Sequence, residues 1–307
     1  EAALAERGQC LPFEPPHFAV GTTGAAGDGT VGGMVAAGLS GPARASVGSV
    51  RDYVLGVSLL NGRGEHLVFG GQVMKNVAGY DVSRLMAGAM GTLGLITDVS
   101  LKVLPVAPAE ATLRFECGQA EALRRLNTWG GRPLPLNASC WVEEAPGQGV
   151  LYLRLRGAVA AVEAAARQLL AEHADGRREG DVADDWAACR DLRLPWFAAL
   201  GQGSVGPDLW RLSVPQTAPV LDLPEPPLVE WHGAQRWVRA RPADATRIRA
   251  AAARAGGHAT LFIASPGAAG IARFDPPSGP LARIQNDLRR AFDPAGILNP
   301  GRMGRPA

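Results

Sequence analysis

The sequence predicts an α+β protein built from two domains. Short apolar runs separated by glycine-rich turns occupy residues 11–105, whereas helical stretches rich in arginine and alanine alternate with strands from residue 109 onward. The composition changes across the proline-bearing segment 105–108. We therefore expect a first domain at 1–107 and a second domain at 108–307.

The first domain is expected to be built from short elements. Its strands and helices follow from apolar periodicity and from turn residues such as the Asn61-Gly62-Arg63-Gly64 segment between two apolar runs. Glu1–Gly8 is predicted to end a helix at its glycine. The other predictions are a helix at Val31–Leu39, strands at Val54–Leu60 and His66–Phe69, a helix at Val82–Ala89 and a long strand at Leu93–Leu104.

The second domain is expected to begin with a ferredoxin-like unit, because strand, helix, two strands and an amphipathic helix follow one another. These predicted elements are Ala111–Cys117, Ala120–Trp129, Ala138–Val142, Val150–Leu155 and Val159–His173. An irregular stretch is expected from Trp186 to Pro227. After it come strands near Leu228–Trp231 and Arg236–Val238, helix Asp244–Ala255, strand His258–Ala264 and helix Leu281–Phe292.

Composition excludes several classes of function. The 31 basic and 29 acidic residues are interleaved, so nothing attracts a polyanion and nucleic-acid binding is not expected. The four cysteines lack the spacing of a zinc or iron–sulfur site, and no metal is predicted. No apolar run approaches the ~20 residues of a membrane helix, so we expect a cytoplasmic protein, or one peripheral to the inner membrane through its partners.

Residues 27–32 spell G-x-G-x-x-G, the fingerprint of a dinucleotide-binding Rossmann turn, and Asp52 follows at the distance of a ribose ligand. A Rossmann turn must follow a buried strand directly. Here Gly21–Ala26 separate the pattern from the short apolar run Phe18–Val20. The glycines instead favour a backbone that approaches phosphate before a helix, or a tight turn needing positive φ.

Four ordered blocks carry a family resemblance: residues 32–57 (GGMVAAGLSGPAR…GSVRDYVLGV), 75–85 (KNVAGYDVSRL), 88–97 (GAMGTLGLIT) and 292–303 (FDPAGILNPGRM). Together they resemble the vanillyl-alcohol-oxidase family, whose FAD-binding domain is of the PCMH type. Within it, the second and fourth blocks are most similar to the FAD-binding E subunits of bacterial glycolate oxidases. The resemblance implies a PCMH-type domain with mainly its second subdomain present, plus a ferredoxin-like α+β cap domain. The family's first FAD segment is expected to precede Glu1.

The resemblance also implies a set of flavin-binding residues, and FAD as the cofactor. Thr30, Val31, Gly32, Gly33 and Gly38 would line the pyrophosphate and ribityl chain. Ser40, Gly41 and Arg44 would lie beside the flavin, and Gly48 and Val54 would continue that side of the binding site. Gly91, Gly94 and Ile96 would present their backbone to the cofactor. Asn299 would approach the isoalloxazine as the C-terminal segment returns to the flavin. Each glycine has an alternative role as a turn residue, and Lys75 could compensate flavin charge or cap a loop.

The function implied by the resemblance is that of an FAD-dependent oxidoreductase acting on the CH–OH group of 2-hydroxy acids. It would be the FAD-binding subunit of a glycolate oxidase complex, beside a catalytic flavoprotein D subunit and an iron–sulfur F subunit. Two alternatives stay open: a free-standing 2-hydroxy-acid (D-lactate) dehydrogenase, and a non-catalytic assembly subunit with a degenerate flavin site. No catalytic residue is assigned, although a positioned base is required and His258 is a candidate. Trp186, Trp196 and Trp210 are expected either at subunit contacts or in the core.

Overall fold

The computed structural model describes residues 1–18, 29–72, 80–198, 200, 207–277 and 279–304. The helices are α1 (Ala2–Ala5), α2 (Val31–Ala37), α3 (Arg44–Val47), α4 (Val50–Tyr53), α5 (Val82–Leu85), α6 (Gln119–Gly130), α7 (Val159–Glu172), α8 (Ala183–Arg190), α9 (Ala245–Arg254) and α10 (Gly279–Phe292). The strands are β1 (Gln9–Cys10), β2 (Val54–Leu60), β3 (His66–Gly70), β4 (Leu95–Leu101), β5 (Leu104–Pro105), β6 (Ala109–Glu116), β7 (Leu136–Ala145), β8 (Gln148–Gly157), β9 (Gly176–Arg178), β10 (Asp208–Ser213), β11 (Leu228–Glu230), β12 (Gln235–Ala240) and β13 (His258–Ile263).

The chain forms two compact units. The first comprises Glu1–Gly41, Gly48–Val106 and Pro276–Ala307, and the second comprises Pro42–Val47 and Ala107–Asp275. The short segment that carries α3 thus belongs to the second unit, although it lies within the first in sequence. The C-terminal residues belong to the first unit.

The first unit is built on a three-stranded antiparallel sheet with the order β3-β2-β4, beside a β1-β5 ribbon. The turn between β2 and β3 forms because the Asn61 side chain accepts hydrogen bonds from the backbone of Arg63 and Glu65. Residues from β2, α2 and α4 form the core, and Leu288 and Phe292 of α10 pack against it.

The second unit is one antiparallel sheet of eight strands, ordered β13-β10-β12-β11-β7-β8-β6-β9. Within it, β6, β7, β8 and β9 with α6 and α7 have the predicted ferredoxin-like arrangement, with both helices packed on one apolar cluster. Consecutive strand residues point to opposite faces. Trp210 therefore packs with α9 while Leu209 packs with α8, so that both faces of the sheet are covered there.

Several predicted elements were wrong in extent. The helix predicted at 82–89 stops at Leu85, and Gly88 and Met90 have positive φ of 84° and 53°. The strand predicted at 93–104 divides into β4 and β5, which belong to different sheets. The helix predicted at Val31–Leu39 ends two residues early, because Gly38 adopts the left-handed conformation at φ 67°.

The stretch predicted as irregular contains α8 and β10. Strand β10 has no alternation for a sequence pattern to detect, because Asp208, Leu209 and Trp210 are all buried. Trp186 and Trp210 are buried, which supports the core interpretation for both residues, while Trp196 is half-buried.

Candidate functional site

Among the residues that the structure describes, few side chains cover the backbone at the start of α2. Thr30 caps the helix, its hydroxyl accepting from the Gly33 amide at 2.9 Å. The amides of Val31 and Gly32 are at the first two helical positions, which have no acceptor within the helix. Thr30, Val31 and Gly33 are exposed. These donors fit an anionic group such as a pyrophosphate.

The other end of α2 packs closely on the segment that follows α5. A Cβ at Gly38 would lie 2.7 Å from the Gly88 Cα, closer than real Cβ atoms approach. The Gly88 and Met90 amides donate to carbonyls of α2 at 3.0 and 2.8 Å. At the near end, a Cβ on Gly32 would contact the Ile96 carbonyl at 3.4 Å. The structure therefore brings the first and third motif blocks together.

Asn299, in the C-terminal block, contacts the loop that packs on α2. Its side-chain amide donates to the Met90 carbonyl at 2.8 Å, and a Cβ at Gly91 would lie 2.7 Å from the same Asn299 nitrogen. Asn299 is exposed. Three of the four blocks thus converge in the first unit, whereas residues 73–79, which include Lys75, lie outside the described residues, as do Gly27 and Asp28.

For some of the residues predicted to bind the flavin, packing within the chain alone explains the residue type. Val54 is 1% exposed and belongs to the core, so only its backbone could meet a ligand. A Cβ at Gly94 would lie 2.8 Å from Leu59 Cδ1. Glycine is required at Gly48, where φ is 94° and a Cβ would lie 3.0 Å from the Asp52 carboxylate.

Ser40 and Gly41 are also held within the first unit. The buried Ser40 hydroxyl accepts from the Val50 amide at 3.2 Å, and the Gly41 amide donates to the Phe13 carbonyl at 2.9 Å. These bonds fix the chain immediately before it crosses into α3. Their role in cofactor binding stays a prediction.

Arg44 lies in the second unit, against a strained turn. Its guanidinium is stacked over the Trp231 ring at 4.4 Å from the centroid. Trp231 and His232 both have φ of 55°, and Gly233 has φ of 102°. Two consecutive left-handed residues with large side chains are costly, and such strain persists only where the surroundings enforce it.

His232 connects that turn to α3 and β7. One ring nitrogen lies 2.9 Å from the Ser46 hydroxyl and the other 3.1 Å from the Ser139 hydroxyl, which also accepts from the His232 amide at 2.9 Å. Burial lowers the pKa of His232 to about 4, so the ring is neutral near pH 7. Because both ring nitrogens are bonded, His232 holds α3, and hence Arg44, against the rest of the second unit.

Arg211 supplies a second positive charge on β10. Burial of its guanidinium, together with the positive charge of Arg44, lowers the pKa of Arg211 to about 10, so the side chain stays protonated near pH 7. It lies 5.6 Å from the Phe262 ring centroid. Among the described residues, no carboxylate lies within ion-pair distance of Arg211. A half-buried cation without a counter-charge fits an anionic ligand.

Sequence reasoning missed Arg211, His232 and Ser139. The hydrogen-bond partners of His232 are distant in sequence, since Ser46 is 186 positions and Ser139 is 93 positions away, and no local motif marks these residues. His258, the candidate base, is exposed at the start of β13. In the part of the chain that the structure describes, no group of three or more His, Cys, Asp or Glu side chains could hold a metal ion. No described helix is long and apolar enough to cross a bilayer.

Comparison with known proteins identifies relatives for nearly the whole chain, although no family model matches it. The chain is 44% identical to glycolate oxidase subunit GlcE of Escherichia coli over 303 residues, which cover 99% of this chain and 78% of that protein. Over 111 residues it is 32% identical to glycolate oxidase subunit GlcD of Bacillus subtilis, covering 36% of this chain and 22% of that protein. Over 76 residues it is 42% identical to a D-lactate dehydrogenase of Anaerostipes hadrus, covering 25% of this chain and 16% of that protein.

Solved structures agree on the fold. Alkyldihydroxyacetonephosphate synthase aligns with 98% of this chain and 62% of its own length, at a TM-score of 0.59 and 16% identity. The fold is thus of the PCMH type and α+β, as the resemblance implied. The chain belongs to the family of the glycolate oxidase E subunit, among the FAD-linked oxidoreductases.

Proposed function

We propose that this chain is the FAD-binding subunit of a glycolate oxidase complex that oxidises glycolate to glyoxylate. Family membership supports the cofactor and the reaction class, since its relatives carry the names of glycolate oxidase subunits and D-lactate dehydrogenase. The observation on which the substrate assignment rests is Arg211, a half-buried cation without a carboxylate partner among the described residues.

The first unit would hold the FAD. The exposed amides at the start of α2 would donate to the pyrophosphate, and Gly33, which is exposed, would let the ligand approach the backbone. Asn299 would meet the isoalloxazine from the C-terminal block. When bound, FAD supplies the two-electron oxidation that removes two hydrogens from the CH–OH group of the acid.

The second unit would bind the substrate carboxylate. Glycolate, D-lactate and other 2-hydroxy acids share an α-hydroxyl and a carboxylate. A protonated guanidinium can hold a carboxylate by two parallel hydrogen bonds, which fixes its orientation. Arg211 supplies that charge on a strand, and Arg44, held over Trp231, adds a second positive charge.

Electrons would leave through partner subunits. The similarity to both an E and a D subunit supports a complex in which a catalytic flavoprotein D subunit and an iron–sulfur F subunit accompany this chain. The D subunit would contribute the groups for proton abstraction that are unassigned here, and the F subunit would accept the electrons.

The test begins with the visible spectrum of the protein after FAD is added and the excess is removed. We expect a flavin band that the variant Gly33→Val loses, because the added side chain occupies an exposed position at the start of α2 and its Cβ would lie 3.0 Å from the capping hydroxyl of Thr30. Gly130→Val is the control for adding a valine to a helix, since Gly130 is also exposed and a Cβ there would meet no atom within 4 Å. Equal flavin content in both variants would remove the assignment at α2.

The second step adds glycolate or D-lactate without oxygen, to the chain alone and to the assembled complex. Bleaching of the flavin by glycolate only in the complex supports the proposal. Turnover by the chain alone would establish a free-standing dehydrogenase instead. A colourless chain that still assembles with the other subunits would establish a non-catalytic assembly subunit.

A further inference from the structure

A cavity of about 550 Å³ lies within the second unit, apart from Arg44, Arg211 and the residues assigned to FAD. It opens between α8, the turn around Pro195 and one face of the sheet. That volume is typical of sites for small organic ligands. The apolar part of its wall comes from Val142, Tyr152, Val182, Trp186, Leu194 and Trp196.

The aromatic wall is already fixed in place. The Trp186 indole donates to the Thr112 hydroxyl at 2.9 Å and lies under the Arg154 guanidinium, 4.8 Å from the ring centroid. Trp196 is stacked in the same way by Arg239, also at 4.8 Å. Side chains held by such contacts need little reordering when a flat ligand binds, which lowers the entropic cost of binding.

The charges in the wall are unequally compensated. Arg239 is paired with Glu225 at 3.5 Å, and Glu144 with Arg114 at 3.2 Å. Glu143 and Asp185 also line the cavity, and neither has an ion-pair partner among the described residues. The uncompensated charge of the cavity is therefore negative.

We infer that this cavity binds a small aromatic molecule carrying a positive charge. Its rings would lie against the indoles of Trp186 and Trp196, and its cationic group would face Glu143 and Asp185. The cavity is much larger and more apolar than a two-carbon hydroxy acid requires, so the ligand is not the proposed substrate. The inference does not depend on the flavin assignment.

The experiment is calorimetric titration with three probes that share one ring system and differ in charge: 1-naphthylmethylamine, 1-naphthalenemethanol and 1-naphthoate. We expect the amine to bind at least tenfold more tightly than the carboxylate, with the alcohol between them. Equal affinity for all three, or no binding of the amine, would overturn the inference.

Variants locate the site. Val142→Phe places a ring in the cavity and should weaken amine binding about tenfold, while its circular dichroism spectrum reports that the fold is kept. Asp185→Asn should weaken the amine about fivefold and leave the alcohol unchanged. Asp184→Asn is the matched control, because Asp184 is the neighbouring exposed residue of α8 but lies outside the cavity. Equal effects of the two asparagine variants would contradict the assignment of charge to this site.

Discussion

The side-chain amide of Asn299 donates to the carbonyl of Met90 at 2.8 Å across 209 residues of sequence. Both residues have positive φ, 44° for Asn299 and 53° for Met90. Left-handed backbone is unusual for residues other than glycine, though asparagine tolerates it better than most. Together with the contact from the Thr92 hydroxyl to Met303 Sδ at 3.8 Å, this bond joins the C-terminal motif block to the loop that packs on α2.

Two substitutions of Asn299 should separate the contribution of the hydrogen bond to stability from that of the backbone strain. Asn299→Gly loses the hydrogen bond but keeps the backbone conformation, so we expect the free energy of unfolding to fall by about 0.5–1 kcal/mol for this exposed contact. Asn299→Ala should cost about 1 kcal/mol more, because alanine is strained at positive φ. Far-UV circular dichroism during urea unfolding measures both.

A double-mutant cycle between Gly91 and Asn299 tests the same contact. A Cβ there would lie 2.7 Å from the Asn299 amide nitrogen, and φ is 68°. Gly91→Ala should therefore be less costly in the Asn299→Gly background than in the native protein. Additive effects of the two substitutions would show that the residues do not interact.

Gly62 is predicted to tolerate no side chain. Its Cβ would lie closer to Asp293 than any real Cβ approaches, at 2.8 Å from the Asp293 Cα. The Asp293 carboxylate is itself held by the amides of Ile297 and Leu298 at 3.2 and 2.7 Å. Gly62→Ala should destabilise the first unit by about 1–3 kcal/mol.

The control for Gly62→Ala is Gly130→Ala, which adds the same methyl group in open space within α6 and should be neutral or slightly stabilising. All seven tryptophans lie in the second unit. A loss confined to the first unit therefore shifts the circular dichroism transition and leaves tryptophan fluorescence unchanged. A matching shift in fluorescence would contradict the local explanation.

Local patterns predicted much of the fold. Strand β2 was predicted with its observed bounds, because an apolar run ends at an Asn-Gly turn whose own side chain makes the bonds. Helix α8 was missed because only Trp186 and Cys189 of its eight residues are buried, too few to give a period. The division of β4 from β5 depends on pairing with β1, which lies far away in sequence.

The candidate site was less accessible to sequence reasoning. The resemblance named residues of α2 and the loop before β4, since these lie in contiguous blocks. It could not indicate Arg211, whose significance lies in the absence of a nearby carboxylate among the described residues. Nor could it indicate His232, whose role depends on two serines from distant segments.

His232 should make stability depend on pH. An unfolded histidine takes up a proton near its ordinary pKa of about 6.5, whereas burial keeps His232 neutral down to about 4. Between those values the unfolded state binds more protons, so stability falls as pH decreases through that window and is complete above it. The expected contribution is on the order of 3 kcal/mol.

Urea unfolding followed by tryptophan fluorescence at several pH values measures this effect. His232→Asn should flatten the dependence between the two pKa values, since asparagine does not titrate and accepts the left-handed backbone at this position. His258→Asn is the control, because His258 is exposed. An unchanged pH profile in His232→Asn would assign the dependence to other groups.

Replacing Arg211 should increase the stability of the protein and weaken ligand binding. A half-buried cation without a counter-charge is costly to the fold, so Arg211→Leu should stabilise the ligand-free protein by up to about 1 kcal/mol. The same change removes the proposed partner of a carboxylate. Oxalate, a non-oxidisable acid of similar size to glycolate, should then bind about 10–100-fold more weakly, as expected when a charge-assisted hydrogen-bonded pair is lost.

Arg211→Lys tests whether geometry matters as well as charge. Lysine keeps the positive charge but cannot make two parallel hydrogen bonds to a carboxylate, so its oxalate affinity should fall between those of the native protein and Arg211→Leu. Arg254→Leu, on α9, is a control for loss of a positive charge elsewhere in the second unit. If Arg211→Leu destabilised the protein and left oxalate binding intact, Arg211 would be a structural residue and the substrate carboxylate would bind elsewhere.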